Sequence, residues 1–511
     1  GIARAREVAV RSALGAGRAR IVVQMLIESA LLAIAGGALG VAVAAAAVHS
    51  FVAFAPAGVP RVGEIHLNAI ALAGAVVITG LATLIFALAP AIMSSRVELQ
   101  QALRTDARQS ASRGSRRVAE GLVVGQIALA LLVLSAAGLI ARSLIKLERA
   151  KLSLEPSHLL IGQLAIRYYD AQYDNAAKQT AMLDQLVSRL HATPGVQGVS
   201  PVVAAPFSGS GGWDGRVAAE GQSAEDAAAT PILDLEVVGP EYFATLGIPI
   251  LHGRGFTEAD RAGAPDVVVL SESAARHYWP GDNPLGKRLT MGSDSAQTLT
   301  VVGIVPDTRY RSLREARPSI YFPLRQSPFP FEPWTLAVRT SGPPAELVPT
   351  IRRVISETAP GVALASAEPF ARYLEGPLAQ PRLNALLLAV FAGAAVVLAA
   401  VGLFGVMATM VRQRTRELGV RMALGATADD LRRMVLRRGL AIATVGVGAG
   451  FAGALVANRL LSVMLYEVSP TDGVTLAVVA AVLLVVAAVA SVIPARAITR
   501  IDPVSALRVE G

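Results

Sequence analysis

Six long segments of the chain contain almost no charged residue. A helix needs about 20 apolar residues to cross a hydrocarbon core of about 30 Å, so each segment predicts a membrane-spanning helix. Buried helices of soluble proteins rarely hold more than about 14 such residues in a row, which disfavours the alternative. The predicted spans are residues 29–48, with an apolar run that reaches back to 21 past Glu28, and residues 67–93, 121–141, 383–411, 439–458 and 473–495.

The segments that connect these spans differ sharply in positive charge. Five, six, eight and three arginines lie in residues 1–20, 94–117, 412–438 and 496–511, respectively. The loop 49–66 holds only Arg61, and the loop 462–472 has no basic residue. Since basic loops stay in the cytoplasm, and six crossings place all four basic segments on one side, charge and span count agree. The sequence therefore predicts a multi-pass protein of the cell inner membrane whose block 142–382 is extracytoplasmic.

The composition of the 511 residues narrows the function classes. The chain has 47 Lys+Arg against 38 Asp+Glu, 53% hydrophobic residues and only 17% charged residues. Its excess of basic residues is accounted for by membrane topology, so no nucleic-acid partner is predicted. The absence of cysteine excludes disulfides, thiolate zinc sites and cysteine nucleophiles. The six histidines are scattered without metal-ligand spacing, so neither a metal nor a cofactor is expected.

The extracytoplasmic block has the patterns of a mixed α/β domain. Alternating or short apolar runs predict strands, and 3.6-residue spacing predicts helices. The predicted strands are residues 159–167, 233–238, 267–270, 299–304, 320–323, 335–339 and 362–365, and the predicted helices are 175–190, 242–246, 272–278 and 345–357. The middle, about 240–315, is interpreted as a subdomain inserted within the outer parts. The fold class is thus a membrane α-helical bundle of six spans plus a mixed α/β extracytoplasmic domain.

The chain also repeats itself. Residues 4–17 read RAREVAVRSALGAG and residues 414–427 read RTRELGVRMALGAT, with nine identities at an offset of 410. A second match joins 88–104 to 492–508, where Pro90 lies opposite Pro494. Each copy contains a basic helix, a span, an outer loop, a span and a tail. Only the second copy has a further span on each side of an outer domain, so we expect the N-terminal part of a duplicated protein to be absent.

The short basic helix is the most informative element. Leu418 and Met422 share one face, and Glu417 precedes Arg421 in the order favoured for a helical ion pair. Gly425 follows the helix where a left-handed residue would end it. Such an amphipathic helix can lie on anionic headgroups or dock in a groove of a cytoplasmic partner. The repeated Glu-x-x-x-Arg-x-Ala-Leu-Gly-Ala favours docking, because headgroup binding requires charge but no fixed pattern.

These segments carry a resemblance to a known family. REVAVRSALGA and RELGVRMALGA resemble the coupling segment of FtsX-like/MacB-type ABC transporter permeases, and the two-copy arrangement resembles the duplicated orphan permeases of that family. QIALALLVLSAAGLIARSL, VVGPEYFATLGIPILHGRGFTEAD and SESAARHYWPGDNPLGKRL fit the same family in order. The resemblance implies a coupling helix (1–20) and two spans (21–93) of an incomplete first repeat, a basic cytoplasmic linker (94–120), a first span of repeat 2 (121–141), a MacB-like domain (142–382), and a permease domain (383–511) with its coupling helix at 412–427.

The resemblance also implies a function. The chain would be a permease subunit, not an enzyme, that couples ATP hydrolysis by a separate cytoplasmic ATPase to movement of its outer domain, in export or mechanotransmission. ATP would be bound by that partner, and the chain itself would contact membrane lipid. A periplasmic or outer-membrane protein is a further partner that the resemblance allows. The alternative is a regulatory membrane protein that controls an envelope partner such as a cell-wall hydrolase. The implied ATPase-coupling residues are Arg6, Glu7, Arg11, Leu14 and Gly15 in the first copy and Arg416, Glu417, Arg421, Leu424 and Gly425 in the second.

Three other features have weaker functional interpretations. Residues 281–288 nearly spell a phosphate-binding loop, but Arg288 stands where that loop needs Ser or Thr, so a turn is predicted. Residues 208–213, ending at Trp213, are predicted to form a flexible loop, with a contact of Trp213 to a partner or cargo as the alternative. Glu28 and its repeat mate Arg438 lie near the cytoplasmic interface, where long side chains reach water without a special role.

Overall fold

The chain divides into two compact units. A computed structural model describes residues 18–54, 62–95, 105–166, 173, 175–208, 213–223, 226, 229–291, 297–327 and 334–497. One unit, here the membrane unit, is Gly1–Ala141 together with Leu383–Gly511, and the other, the outer unit, is Arg142–Arg382.

Long helices dominate the membrane unit. They are α1 (Arg18–Phe54), α2 (Ala69–Ser95), α3 (Thr105–Glu148), α9 (Glu375–Gln413), the short α10 (Thr415–Ala423), α11 (Ala428–Leu460) and α12 (Gly473–Ala497). Among the described residues, five helices are long and apolar enough to cross a membrane: Ile27–Ala53, Arg117–Glu148, Glu375–Gln413, Ala428–Leu460 and Gly473–Arg496. The sixth predicted span corresponds to α2, within which Ala69–Leu81 is a shorter apolar segment. The expected membrane helical bundle is thus present.

Helix α3 begins earlier than the pattern predicted. The sequence predicted a basic linker as far as residue 120, but the chain is already helical from Thr105. Residues 105–120 contain Ala, Arg, Gln and Glu, which favour helix, and no proline that would stop one. The predicted span begins at residue 121 because charged residues precede it. Nothing in residues 105–120 interrupts the helical backbone, so the helix itself begins earlier.

The second-repeat helices α3, α9, α11 and α12 share one apolar core. Leu131, Leu403, Met407, Ala443 and Leu483 are almost completely buried in it. Glycines bring two of these helices close together. A Cβ added at Gly450 would lie 2.8 Å from the carbonyl oxygen of Ala128, so no side chain fits between α11 and α3 at this point. Small residues permit such close helix packing in membranes.

The outer unit is built on one sheet of twelve strands. They are β1 (Leu159–Ile166), β2 (Val196–Val202), β3 (Trp213–Gly215), β4 (Ala218–Ala219), β5 (Leu233–Val238), β6 (His252–Gly253), β7 (Val267–Ser271), β8 (Arg288–Met291), β9 (Gln297–Val305), β10 (Ser319–Pro323), β11 (Thr335–Thr340) and β12 (Val362–Pro369). The main path is β12-β1-β11-β2-β5-β10-β7-β9-β8-β4, with β3 paired to β5 and β6 to β9. Two pairs, β5–β10 and β7–β9, are parallel and the others are antiparallel.

In the described part of this unit, five helices accompany the sheet: α4 (Ala176–His191), α5 (Tyr242–Leu246), α6 (Glu272–Tyr278), α7 (Pro344–Thr358) and α8 (Phe370–Tyr373). Strands β1, β2, β11 and β12 form one half of the sheet, and α4 and α7 cover it. Residues 213–323 form the other half, a longer segment than the predicted insertion of about 240–315. Among the described residues, the two halves meet where β2 lies beside β5: Val202 is paired with Val238, and the Val203 and Gly239 amides donate to the Val237 and Pro201 carbonyls. The mixed α/β character predicted from sequence is thus confirmed.

Candidate coupling site

The second basic segment folds as a separate short helix between two spans. Helix α9 ends at Gln413, and α10 starts at Thr415 after Arg414. Leu418 faces inward and is 2% exposed, in the same cluster as Val411 and Val435. Met422 packs partly against that cluster, as the i, i+4 spacing predicted. The apolar face of α10 is therefore held against the span helices and not left on a surface.

Glycine ends the helix by a defined turn. Gly425 has φ of +96°, the left-handed region that glycine adopts without strain. The Gly425 amide donates to the Met422 carbonyl (3.0 Å), and the Ala426 amide donates to the Arg421 carbonyl (2.9 Å). This pair of bonds is a Schellman motif, which satisfies carbonyls that the helix end would leave without partners. The predicted left-handed stop is confirmed.

The next helix begins at once with a capping box. The Asp430 amide donates to Thr427 Oγ1 (3.3 Å), and the Thr427 amide donates to Asp430 Oδ2 (3.2 Å). The two reciprocal bonds fix the first turn of α11. Since both ends of the connection are tied by hydrogen bonds, α10 and α11 are joined through a short, well-defined corner at residues 424–427.

Charges on the outer face of α10 are organised around Glu417. Its carboxylate pairs with the Arg421 guanidinium at 2.8 Å and lies 3.6 Å from Arg414 Nε. Arg421 also reaches the Met434 sulfur at 3.5 Å, which fastens it to α11. The predicted i, i+4 pair is present, whereas the contact to Met434 required the tertiary fold. Because these groups are about 40% exposed, the pairs organise the surface and add little to stability.

An apolar pair lies exposed on the same helix. Leu424 is 82% exposed and Val420, one turn earlier, is 40% exposed. Exposed apolar side chains flanked by an ordered Glu–Arg pair can contact a groove on another protein. The sequence prediction included Leu424 but missed Val420. The i, i+4 spacing of Leu418 and Met422 identified the buried face of the helix and did not assign Val420 to either face.

The structure describes only part of the predicted coupling set. Arg6, Glu7, Arg11, Leu14 and Gly15 lie outside the described residues. Arg416 belongs to α10 by its backbone, and its side chain is likewise outside the description. The structure therefore brings together Glu417 and Arg421 beside Leu424 and Gly425.

One further ion pair on the span helices was not predicted. Arg438 of α11 pairs with Glu120 of α3 at 2.7 Å, and the Glu120 side chain is 15% exposed. Glu28, the repeat mate of Arg438, accepts a hydrogen bond from Gln24 (3.4 Å) on its own helix. The equivalent positions of the two repeats thus carry opposite charges, a carboxylate at Glu28 and a guanidinium at Arg438.

In the outer unit, the segment that resembles a phosphate-binding loop is a closed turn. Gly281 and Gly286 both have positive φ, 78° and 76°. Lys287 pairs with Asp282 at 2.8 Å and lies over the Trp279 ring, with its Nζ 5.6 Å from the ring centroid. The amine is thus engaged within the turn, and the predicted turn is confirmed.

Trp213 lies at the edge of this unit. It belongs to strand β3, faces Leu235 of β5, and is 42% exposed. Residues 209–212 of the predicted flexible loop lie outside the described residues. Among the residues described, no group of three or more His, Cys, Asp or Glu is placed to hold a metal.

A buried acidic cluster on β5 forms the chief electrostatic feature of the outer unit. Asp234 and Glu236 are 2% and 3% exposed. Arg311 contacts both carboxylates, at 3.3 Å and 3.2 Å, and also pairs with Asp214. Burial outweighs the attraction of Arg311 and raises the pKa of Glu236 to about 8. Burial likewise raises the pKa of the neighbouring Tyr310 hydroxyl.

Comparisons with known proteins match both units. The MacB-like periplasmic core domain matches residues 121–368. The FtsX-like permease C-terminal domain matches twice, at residues 2–99 and 389–503, the two segments that carry the repeated sequence.

Individual relatives are more distant. The pyoverdine export ATP-binding/permease protein PvdT of Pseudomonas putida is 28% identical over 271 residues, 51% of this chain and 41% of that protein. The macrolide export ATP-binding/permease protein MacB of Mannheimia succiniciproducens is 23% identical over 287 residues, 54% of this chain and 43% of that protein. The chain thus aligns with less than half the length of these relatives. The crystal structure of the periplasmic region of MacB from Actinobacillus actinomycetemcomitans aligns at a TM-score of 0.30 and 16% identity, covering 44% of this chain and 93% of that one.

The domain matches agree with the order of the structural units along the chain. The permease matches cover apolar helices, and the match between them covers the mixed sheet. The sheet unit lies between two helices of the second repeat, and permease matches flank it on both sides. Together these observations show that the chain belongs to the FtsX/MacB-type permeases.

Proposed function

We propose that this chain is a permease subunit that couples ATP hydrolysis by a separate cytoplasmic ATPase to movement of its extracytoplasmic domain. The observation that carries the proposal is helix α10, whose inner face is anchored by Leu418 while Leu424 and the Glu417–Arg421 pair remain exposed. A helix that is packed against the bundle on one side and exposed on the other can be displaced by a bound partner and can transmit that displacement to the bundle.

The packing of the membrane unit supports transmission of such a displacement. Leu418 lies in one buried cluster with residues of α3, α9, α11 and α12, so α10 cannot move independently of these helices. Gly446 and Gly450 place α11 in van der Waals contact with α3. Close-packed interiors transmit displacement because they resist compression. Helices α3 and α9 are also the ones that lead the chain into and out of residues 142–382.

The names of two relatives favour export as the outcome of this motion. The relatives from Pseudomonas putida and Mannheimia succiniciproducens are both named as export ATP-binding/permease proteins. In this proposal the protein resides in the inner membrane, ATP is bound by the partner and not by this chain, and the outer unit faces a cargo or an envelope protein.

The test uses the purified chain, reconstituted with the ATPase encoded by a neighbouring reading frame. Arg421→Glu and Arg11→Glu each reverse one charge of the proposed docking face. We expect each to lower the affinity for the ATPase and its stimulation about tenfold, the equivalent of about 1.4 kcal/mol. Leu424→Ala, which removes an exposed side chain without opening a cavity, tests the same surface without changing charge.

Arg352→Glu supplies the matched control. Arg352 is an exposed arginine on α7 of the outer unit, so the same charge reversal there leaves α10 intact. Unchanged binding and unchanged ATPase stimulation in the Arg421, Arg11 and Leu424 variants would rule out the docking role. Hydrolysis of ATP by the chain alone would contradict the requirement for a separate ATPase.

A further inference from the structure

Two arginines near the start of α11 lie exposed on one helix face. Arg433 and Arg437 are one turn apart, and both side chains are exposed. Among the described residues, no ion pair within 4 Å joins either of them to a carboxylate, although Asp430 is close enough to Arg433 to interact with its charge. Like charges four residues apart destabilise a helix, so this pair favours a bound counter-anion.

The neighbouring charges are already engaged. Arg432 pairs with Asp429 at 2.8 Å, and Arg438 pairs with Glu120 at 2.7 Å. The Asp430 carboxylate accepts hydrogen bonds from the Thr427 amide and hydroxyl. The acidic side chains described near this pair are therefore engaged with other groups, which leaves the two exposed guanidinium groups available to an external anion.

The arginine pair continues a line of exposed apolar residues. At four-residue steps from Arg437 come Ala441, Val445 and Ala449, all exposed, and Val456 lies further along the same helix at 70% exposure. In a membrane-embedded helix an exposed apolar face meets lipid tails. Arg437 comes two residues before the uncharged run 439–458. When that run spans the hydrocarbon core, the guanidinium of Arg437 lies close to the headgroups.

The first repeat lacks this feature. At the repeat offset of 410, Arg433 and Arg437 correspond to Val23 and Ile27. Both are exposed on α1, by 52% and 55%. The same helix face is therefore apolar in one repeat and basic in the other, so a general need of this fold for charge at the membrane surface does not account for the pair.

We propose that Arg433 and Arg437 form a binding site for the phosphate of an anionic phospholipid headgroup, on the second repeat alone. The two guanidinium groups can hold one phosphate between them by charge-assisted hydrogen bonds. The acyl chains would then lie along Ala441, Val445 and Ala449. Lipid binding at this site requires no ATPase, so it can be tested independently of the coupling role of α10.

The experiment measures lipid retention by the full chain without any ATPase. Protein in neutral detergent is mixed with equal amounts of phosphatidylglycerol and phosphatidylcholine, and the retained lipids are counted by native mass spectrometry. A basic residue at an anionic surface contributes about 1 kcal/mol, or about fivefold in affinity. We therefore expect Arg433→Gln/Arg437→Gln to reduce the preference for phosphatidylglycerol about 25-fold.

Two other variants make the result specific. Arg433→Lys/Arg437→Lys keeps the charge and should keep most of the preference. If the double glutamine variant fails to fold, Arg433→Gln and Arg437→Gln alone should each reduce the preference about fivefold. Arg352→Gln/Arg353→Gln removes two exposed arginines from α7 of the outer unit and should change nothing. Equal retention of phosphatidylglycerol by the wild type and the Arg433/Arg437 glutamine variant would overturn the proposal. Displacement of the lipid by an equal concentration of inorganic phosphate would overturn it too, because the site would then select free phosphate.

Discussion

Glu236 is a carboxyl group that folding removes almost completely from water. It lies on β5 with Asp234 on the same strand, and Arg311, Tyr310 and Tyr242 face it from neighbouring segments. Desolvation raises its pKa from 4.5 to about 8, even though Arg311 pulls in the other direction. Folding thus favours the protonated carboxyl group, which makes the stability of the outer unit depend on pH.

The direction of that dependence follows from proton binding. Between pH 4.5 and about 8, the folded state holds a proton on Glu236 that the unfolded state has released. The stabilisation is therefore complete below pH 4.5 and is lost as the pH rises through about 8. Each pKa unit corresponds to about 1.4 kcal/mol, so we expect a loss on the order of a few kcal/mol across this range.

Tryptophan fluorescence is a convenient measure of this effect. All three tryptophans, Trp213, Trp279 and Trp334, lie in the outer unit. Thermal unfolding of the full chain followed at this signal should shift to lower temperature between pH 5 and pH 8.5. Glu236→Gln keeps the side-chain shape and should flatten the profile, whereas Glu346→Gln on the exposed start of α7 should leave it unchanged. A profile that keeps the same slope in Glu236→Gln would assign the pH dependence to another group.

At the scale of elements, the tight junction of α11 and α3 depends on small residues. A Cβ at Gly450 would lie 2.9 Å from both the Ala128 Cα and the Leu131 Cβ, and two of its three nearest atoms belong to the backbone. Gly450→Val must therefore push the helices apart. Overpacking of this kind costs about 1–3 kcal/mol. We expect a lower unfolding temperature by circular dichroism in detergent.

Gly448 is the internal control for this prediction. It lies on the same helix, half a turn away, and an added Cβ there meets nothing within 4 Å. Gly448→Ala should therefore be neutral, or stabilising by up to about 1 kcal/mol through helix propensity. If both variants unfold alike, the close approach of α11 and α3 is not what stabilises the bundle.

Helices and strands were predicted correctly from the sequence where the spacing of apolar residues was regular over the whole segment. Helices Tyr242–Leu246 and Glu272–Tyr278 begin and end where their spacing predicted. Strand β2 was missed, because Gly198 and Pro201 interrupt its apolar run and proline usually argues against a strand. The two- and three-residue strands β3, β4 and β6 were missed as well, since only pairing with a neighbouring strand makes such short segments extended.

The same distinction holds for the candidate site. The Glu417–Arg421 pair and the left-handed Gly425 depend on residues close in sequence, and both were predicted. The Arg438–Glu120 pair joins residues 318 positions apart, and local spacing contains no information about it. Exposure of Val420 likewise depends on which face of α10 the span helices cover, a property of the tertiary fold.

At the scale of the whole molecule, the distribution of arginines along the sequence predicts that both basic repeats lie on one side of the membrane and residues 142–382 on the other. The chain contains no cysteine, so single cysteines can report this without a prior substitution. Gln413, at the end of α9, Ala345, in α7, and Ser462, in the loop after α11, are all exposed. Each can be replaced by cysteine with little structural cost.

Labelling of intact cells with a membrane-impermeant maleimide should then distinguish the two sides. Ala345→Cys and Ser462→Cys should react from outside, because the predicted topology places the outer unit there together with the loop 462–472, which has no basic residue. Gln413→Cys should react only after the membrane is permeabilised, and the cysteine-free parent should not react at all. Because Gln413 immediately precedes α10, its labelling from outside would place the Glu417–Arg421 pair beyond reach of any cytoplasmic ATPase and would exclude coupling through this helix.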